Sequence, residues 1–398
     1  MSRTVLVALG MAAGLVAMRA RPVGAGAAAP AEGTTASPAE RSIEEARRAI
    51  EKNPGGCKAR SDLALALARR ARETSDPAFY ARADEELEKC LAAAPDDTEA
   101  LKVRGWVYLG QHRFAEARDL AAALNKRVPD DVMVYGLLTD AQAELGNYAE
   151  AEAACNWMLD LRPGNVPALT RAAYLRELFG DVEGALELMS SAYQQTPLSE
   201  TEDRAWILTQ VGHLHLTAGR LGDAEAALGQ ALAEYPGYHY ALAQMAHVRT
   251  AQGRNEEAVD LLRRRYAAAP HAENLYDLAE ALDRAGRKTE ARATFAEFEG
   301  KARAEMTGAD NANRELIYYY ADQAHRPAAA LALARSEVSR RRDVQTLAAY
   351  AWALHRSGRS AEARKEMKEA LAVGTRDPEL RRRAAAIARG PRRAPTMS

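Results

Sequence analysis

Apolar and polar positions recur along this chain on a fixed period. Between Thr98 and Asn165 it reads TEALKVRGWVYLGQHRFAEARDLAAALNKRVPDD and then VMVYGLLTDAQAELGNYAEAEAACNWMLDLRPGN. The two segments superimpose at an offset of 34 residues, with Phe114 on Tyr148, Ala117 on Ala151 and Pro129 on Pro163. An alanine recurs at Ala83, Ala117, Ala151, Ala185, Ala224, Ala258, Ala291, Ala330 and Ala363, and its spacing departs from 33 or 34 in only two places. Four residues after each comes an apolar or small side chain: Leu87, Ala121, Cys155, Met189, Leu228, Leu262, Phe295, Ala334 and Met367. A spacing of four places both on one helix face. Six of these stretches end at Pro95, Pro129, Pro163, Pro197, Pro236 and Pro270. Gly146, Gly180, Gly219, Gly253, Gly286 and Gly358 stand where a helix would need a left-handed cap before reversing. Each unit is therefore predicted to be helix, tight turn, helix. A period of this length means stacked units rather than one closed core.

Gly105, Ala173, Gly212, Ala246, Ala279 and Ala351 lie twelve residues before the recurrent alanine. Two small residues are expected to face each other there, where the paired helices cross, because larger side chains would push the axes apart. With Gly105, Tyr108, Ala117 and Pro129 in these positions, the chain resembles the tetratricopeptide repeat, whose pattern is W-x2-L-G-x2-Y, A-x3-F, P. The similarity covers about Lys58 to Asp377. It implies an all-α, right-handed superhelical solenoid of about nine repeats, with a concave groove that holds a peptide or a partner protein.

The position eleven before the recurrent alanine is expected to face that groove. It is filled by Trp106, Asp140, Tyr174, His213, His247, Glu280, Tyr319 and Trp352. Trp206, Tyr240 and Tyr276, seven or four residues before their rows, are expected to point the same way. Four of the eight are Trp or Tyr in a chain that is 6% aromatic, and these residues dominate binding hot spots. Trp106, Tyr174, Tyr319 and Trp352 are thus the expected anchors, and Asp140 and Glu280 would prefer basic groups. The family's best-known groove clamps a C-terminal carboxylate with lysine and asparagine. Trp106 stands at one of those positions, which argues against a receptor for chaperone tails.

Two departures from the period stand out. Five additional residues precede Ala205, in LSETEDRA, and lengthen either the turn or the start of that repeat. After Phe298 no proline appears, so its helix is expected to run on to Met306 before Thr307-Gly308 stops it. The eighth unit has Tyr318 at the small position and His325 at the turn.

The ends are different in kind. Thr4 to Met18 is an uncharged apolar run after Arg3, followed by Ala-x-Ala sites at Ala25 to Ala29, the plan of a secretory signal peptide. Residues 1–27 are read as that peptide or as a short membrane anchor, 28–41 as a flexible linker, 42–377 as the solenoid, 378–390 as a capping helix and 391–398 as a disordered tail. Ser42 and Glu45 have capping-box spacing and are expected to start the first helix.

Composition changes the picture chiefly by exclusion. A net charge of −1 over 398 residues supplies no field for nucleic acid, so none is expected as a partner, and a membrane is expected only if the N-terminal run stays uncleaved. Arg263 to Arg265, Arg340 to Arg342 and Arg381 to Arg383 lie near helix ends, where the dipole favours them. No phosphate loop, nucleophile elbow, H-E-x-x-H or C-x-x-C is present. His213 and His215 lie two apart on a helix and point to different faces; His213 and His247 come from neighbouring repeats without a third ligand. No metal, cofactor or catalytic residue is therefore expected. Cys155 falls in the apolar row, while Cys57 and Cys90 fall at the same end of one hairpin and either pair or remain thiols according to compartment. Two functions remain: a non-enzymatic binding scaffold, or a regulatory or assembly subunit of an enzyme or secretion complex, anchored by residues 4–18.

Overall fold

The computed structural model describes residues 37–308 and 311–390. The expected signal peptide, most of the linker and the tail lie outside the described residues.

Helix α1 (Pro38–Lys52) begins earlier than the expected Ser42. The capping box is formed by Ser37 and Glu40: Ser37 Oγ accepts from the Glu40 amide at 3.2 Å, and Glu40 Oε2 accepts from the Ser37 amide at 2.8 Å. Pro38 has no amide to satisfy at the first helical position, so the helix is set one turn ahead of the sequence estimate. Ser42 lies inside it and donates back to Pro38 O.

Nine hairpins follow among the described residues: α2 (Cys57–Thr74) with α3 (Ala78–Ala93), α4 (Thr98–Gly110) with α5 (Phe114–Arg127), and α6 (Val132–Leu145) with α7 (Tyr148–Leu161). Next come α8 (Val166–Leu178) with α9 (Val182–Gln195), α10 (Thr201–Thr217) with α11 (Leu221–Glu234), and α12 (His239–Ala251) with α13 (Asn255–Ala268). The last three are α14 (Ala272–Arg284) with α15 (Lys288–Glu305), α16 (Asn313–Tyr318) with α17 (Pro327–Arg340), and α18 (Val344–Arg356) with α19 (Ser360–Leu371). A π-helical turn, Tyr319–Gln323, prolongs α16, and α20 (Pro378–Arg389) packs on the end of the stack. The chain is a superhelical solenoid without a strand among the described residues.

All nine recurrent alanines are buried to within 1% exposure, which identifies them as the crossing points. The six predicted turn glycines all have positive φ, and Ser75, His112 and His325 adopt the same conformation at the turns of the other three hairpins. Histidine tolerates the left-handed region better than most side chains, which is why the turns at His112 and His325 survive without glycine. At the small position, a Cβ on Gly212 would lie 2.5 Å from Leu228 of its own hairpin. Gly105 behaves differently: the side chain it would strike is Leu137, from α6 of the next repeat, and not the expected Ala117.

First helices are buried nearly all round, polar residues included, whereas second helices bury one stripe; α10 hides eleven residues and α11 three. First helices therefore form the inner layer and second helices the outer. The coil is wound tightly enough for its turns to touch. Helix α2 meets α10 and α12, and the α6–α7 turn meets α17 and α18. At the second contact Val344 N donates to Tyr148 Oη at 2.8 Å, and a Cβ on Gly146 would lie 2.6 Å from Arg342 O. That glycine is required both by φ and by close approach.

Candidate functional site: the inner face

The inner stripe is formed by the first helices, whose shared register brings its residues into neighbouring repeats. Tight winding buries part of it. Trp106, Asp140, Trp206 and Tyr276 are buried, and so lie beneath the surface they were expected to form. Tyr174, His213, Tyr240, His247, Glu280, Tyr319 and Trp352 are half-buried.

Much of the stripe is stitched from repeat to repeat. Arg171 of α8 grips Asp140 of α6 with one edge of its guanidinium, Nε and Nη2 donating at 2.8 and 2.6 Å. Burial pushes the Asp140 carboxyl up and Arg171 opposes it, so the expected preference for an external basic group is already met inside the chain. Glu177 holds His213 Nε2 at 2.7 Å. Trp352 Nε1 donates to Asp322 at 2.9 Å, and Tyr319 Oη donates to Glu299 at 3.2 Å. Tyr276 Oη donates to Glu280 at 2.9 Å, and Arg284 takes the other oxygen at 2.9 Å.

One ridge departs from this pattern. On α10, Trp206 Nε1, Gln210 Nε2 and His213 Nδ1 are buried and have no hydrogen-bond partner among the described residues. They stand at i, i+4 and i+7, on one face. Sequence reasoning picked Trp206 and His213 but missed Gln210, because a lone glutamine in a helix has no signature.

The contact between α2 and α10 is a buried ionic cluster. Arg72 Nη2 bonds both Glu202 and Asp203, Tyr238 Oη donates to Glu202 at 2.6 Å, and His239 Nε2 donates to Arg72 O at 3.1 Å. Burial raises the Glu202 carboxyl and depresses the His239 imidazole to about 3, so that His239 is neutral.

Cys57 and Cys90 are joined as a disulfide, their Cα atoms 4.7 Å apart. Cys155 is a buried thiol, pushed up to about 12 by desolvation. Among the described residues, the group of three potential metal ligands close enough to share an ion is Cys57, Cys90 and Asp97, and its sulfurs are spent in the disulfide. No described helix is long and apolar enough to cross a membrane.

Family models described as tetratricopeptide repeat match residues 103–166, 137–200 and 215–273. Cellulose synthase operon protein C of Pseudomonas fluorescens (strain SBW25) is 32% identical over 170 residues, covering 39% of this chain and 13% of that protein. The chain thus spans a small part of that relative's length. Among solved structures, the human IFIT1 dimer with m7Gppp-AAAA is similar at a TM-score of 0.52 and 13% identity, over 84% of this chain and 85% of that one. A thermophilic TPR protein of Thermus thermophilus is similar at a TM-score of 0.42 and 22% identity, over 50% of this chain and 99% of that one. The likeness to IFIT1 shows the fold alone. With nine hairpins in one register and repeat models matched in two regions, the chain belongs to the tetratricopeptide-repeat family.

Proposed function

We propose that the protein is a non-enzymatic scaffold that holds a peptide or a partner protein on the inner face of its superhelix. The observation that carries this reading is the row Trp206, Gln210 and His213 on α10, three polar groups without partners among the described residues. Leaving a buried polar group unpaired costs about 1–3 kcal/mol, so such a row calls for an occupant. An extended peptide offers carbonyls and amides in alternation. Turned outward from the buried positions they hold in the free chain, Trp206 Nε1 and Gln210 Nε2 would donate to its carbonyls, and His213, whose Nε2 proton points to Glu177, would accept an amide at Nδ1. The row rises by about 10 Å along α10, the length of about three extended residues. Tyr174, Tyr240, His247, Glu280, Tyr319 and Trp352 continue the stripe on either side. Internal hydrogen bonds fix the rotamers of Glu280, Tyr319 and Trp352 beforehand, which lowers the ordering cost of binding.

The test is affinity capture on the mature chain, followed by measurement of the captured partner against Trp206→Phe and Gln210→Leu. Both keep the bulk and remove the donor. Weakened binding at unchanged or higher stability is expected; unchanged affinity in the double variant refutes the inner-face reading.

Export belongs to the same proposal. The run from Thr4 to Met18 with its Ala-x-Ala sites fits cleavage between Gly26 and Pro30, and the Cys57–Cys90 disulfide fits an oxidising compartment. N-terminal sequencing of protein from its native host tests it, and an intact Met1 or Ser2 refutes it. The likeness over 170 residues to cellulose synthase operon protein C favours a second reading, a regulatory or assembly subunit of a larger complex, anchored if residues 4–18 are retained.

A further inference from the structure

The second departure from the period leaves a groove on the outer side of the solenoid. The outer helices α5, α7, α9, α11 and α13 are 14 residues each, and α15 has 18 because no proline stops it. Its additional turn carries Arg303 away from α16, which is six residues long before its π-helical turn, and a cavity of about 890 Å³ opens between the end of α15 and α17. Its floor is apolar and poorly filled. Met306 is among the few large apolar side chains left exposed, and α17 contributes Ala329, Ala332 and Leu333, too small or too far apart to close the gap.

The mouth is positive. Arg303, Arg326 and Arg340 line it, with exposed side chains. Among the described residues that line it, Glu337 is the one acid, and its carboxylate is buried under Asn313 Nδ2 at 2.8 Å and Arg340 at 3.1 Å. Arg303 and Arg326 rest on Glu299, at 3.9 and 2.7 Å. The arginine ends of these pairs are exposed, so each can turn toward an incoming carboxylate at little cost.

We propose that this groove is a second docking site, for an amphipathic helix of a partner protein whose apolar stripe is flanked by Asp or Glu. The proposal rests on the scaffold reading and adds a surface outside the superhelix. The walls are helices with no free sheet edge, which favours a helix over an extended strand. From Ala329 to Arg340 the floor rises by about 16 Å, the length of about three helical turns. Anchors at i, i+4 and i+7 would enter over Ala332 and Leu333, and the flanking carboxylates would meet the three arginines in charge-assisted bonds.

The probes are two synthetic helical peptides of about 15 residues, roughly four turns, with one leucine–alanine stripe and either Glu or Lys flanks. Binding to the full chain is read by fluorescence anisotropy. The Glu peptide is expected to bind at least about tenfold more tightly than the Lys peptide. Ala332→Trp, which fills the groove at an exposed position, and Arg326→Ala should each weaken it by about tenfold or more without moving the thermal midpoint. Equal affinity for the two peptides, no binding of the Glu peptide, or indifference to Ala332→Trp overturns the proposal. Binding that responds to Trp206→Phe instead of Ala332→Trp sinks the groove and leaves the inner-face reading standing. A concentration-dependent dimer abolished by Ala332→Trp gives the site to a second copy, and binding only after removal of residues 1–36 gives it to the chain's own N-terminal segment; both overturn the partner helix.

Discussion

The two places where the repeat gains residues have opposite fates. Before Ala205 the insertion becomes one more turn at the start of α10, and its Glu200, Glu202 and Asp203 reach Arg69 and Arg72 of α2 across the coil. After Phe298 a similar insertion lengthens α15, and what results is an open, apolar-floored groove rimmed with arginine. One insertion closes the superhelix; the other leaves a surface. The difference lies in what each turn meets. The first, rich in acids, faces a helix one coil earlier with two arginines to offer. The second carries Arg303 and Met306 past the end of its neighbour, to the rim of an open cavity.

The largest effect should come from breaking the closed junction. Arg72→Leu would strand Glu202 and Asp203 in a site where all three residues are buried, a loss of about 3–5 kcal/mol for an uncompensated buried pair. The urea midpoint should fall accordingly, and small-angle scattering should show a longer particle as the turns part. A variant as stable and as short as the wild type would mean that the ionic cluster does not hold the coil closed.

The same junction has a pH signature. His239 is depressed to about 3 by burial, with Arg265 and His271 adding to the effect and its bond to Arg72 O opposing it. Its folded pKa lies below the unfolded value of about 6.5, so the contribution is fully present above that pH and is lost as pH falls toward 3. Between pH 7.5 and pH 5 the loss is about 2 kcal/mol. Glu202 works the other way: its carboxyl is raised by burial, and its share of stability is lost as pH rises. The comparison that isolates His239 is His239→Gln, which keeps a donor for Arg72 O and has no proton to gain. Stability measured from pH 7.5 to 5 should decline less steeply in that variant; parallel curves would remove His239 from the account.

How much of this was legible in the sequence follows from range. The hairpins, their crossing alanines and even the turns at His325 and Gly358 are local, written in spacings of four, eleven and 34 residues, and the family models match the repeats within residues 103–200 and 215–273. Both insertions were visible as breaks in that spacing. What the acids of LSETEDRA meet was not, because Arg72 and Glu202 are 130 residues apart and nothing in either segment encodes the pitch of the coil. The inner stripe suffered in the same way. Its register was readable from Trp106 to Trp352, yet tight winding decides that Trp106 and Tyr276 are buried while Trp352 is half-covered. Gly105 fits this lesson: its small size serves Leu137 of the next repeat, a contact between units that the pattern within one unit did not reveal.

A smaller effect is expected at the edge of the closed junction. Arg69 bonds Glu200 at 2.6 Å and approaches Asp203 at 3.5 Å, with side chains more open to solvent than those of Arg72 and Glu202. Solvent screens this pair, so Arg69→Ala should cost about 1 kcal/mol or less. Added salt should narrow its gap to the wild type while leaving the Arg72→Leu deficit largely in place, because buried pairs are screened least. Equal salt sensitivity of the two variants would show that the cluster is wetter than its burial indicates.

The smallest effect should come from the open groove, and its smallness is the point. Arg326→Ala removes a bond of 2.7 Å to Glu299 and a cation–π contact with Tyr320, whose ring centre lies 4.7 Å from the guanidinium carbon. Both lie where water can replace them, and the Arg326 side chain is 46% exposed. The Arg326 side chain makes no cap bond to α17, so the change in stability should stay within about 0.5 kcal/mol, as for most surface substitutions. Glu299 is not stranded, since Arg303 is 3.9 Å away and Tyr319 Oη donates to it. A residue that costs so little to remove is not there to hold the fold, and exposed arginines around one apolar floor can serve a partner instead. Should Arg326→Ala lower the thermal midpoint as much as Arg69→Ala does, the groove is a structural junction like the first, and the contrast between the two insertions disappears.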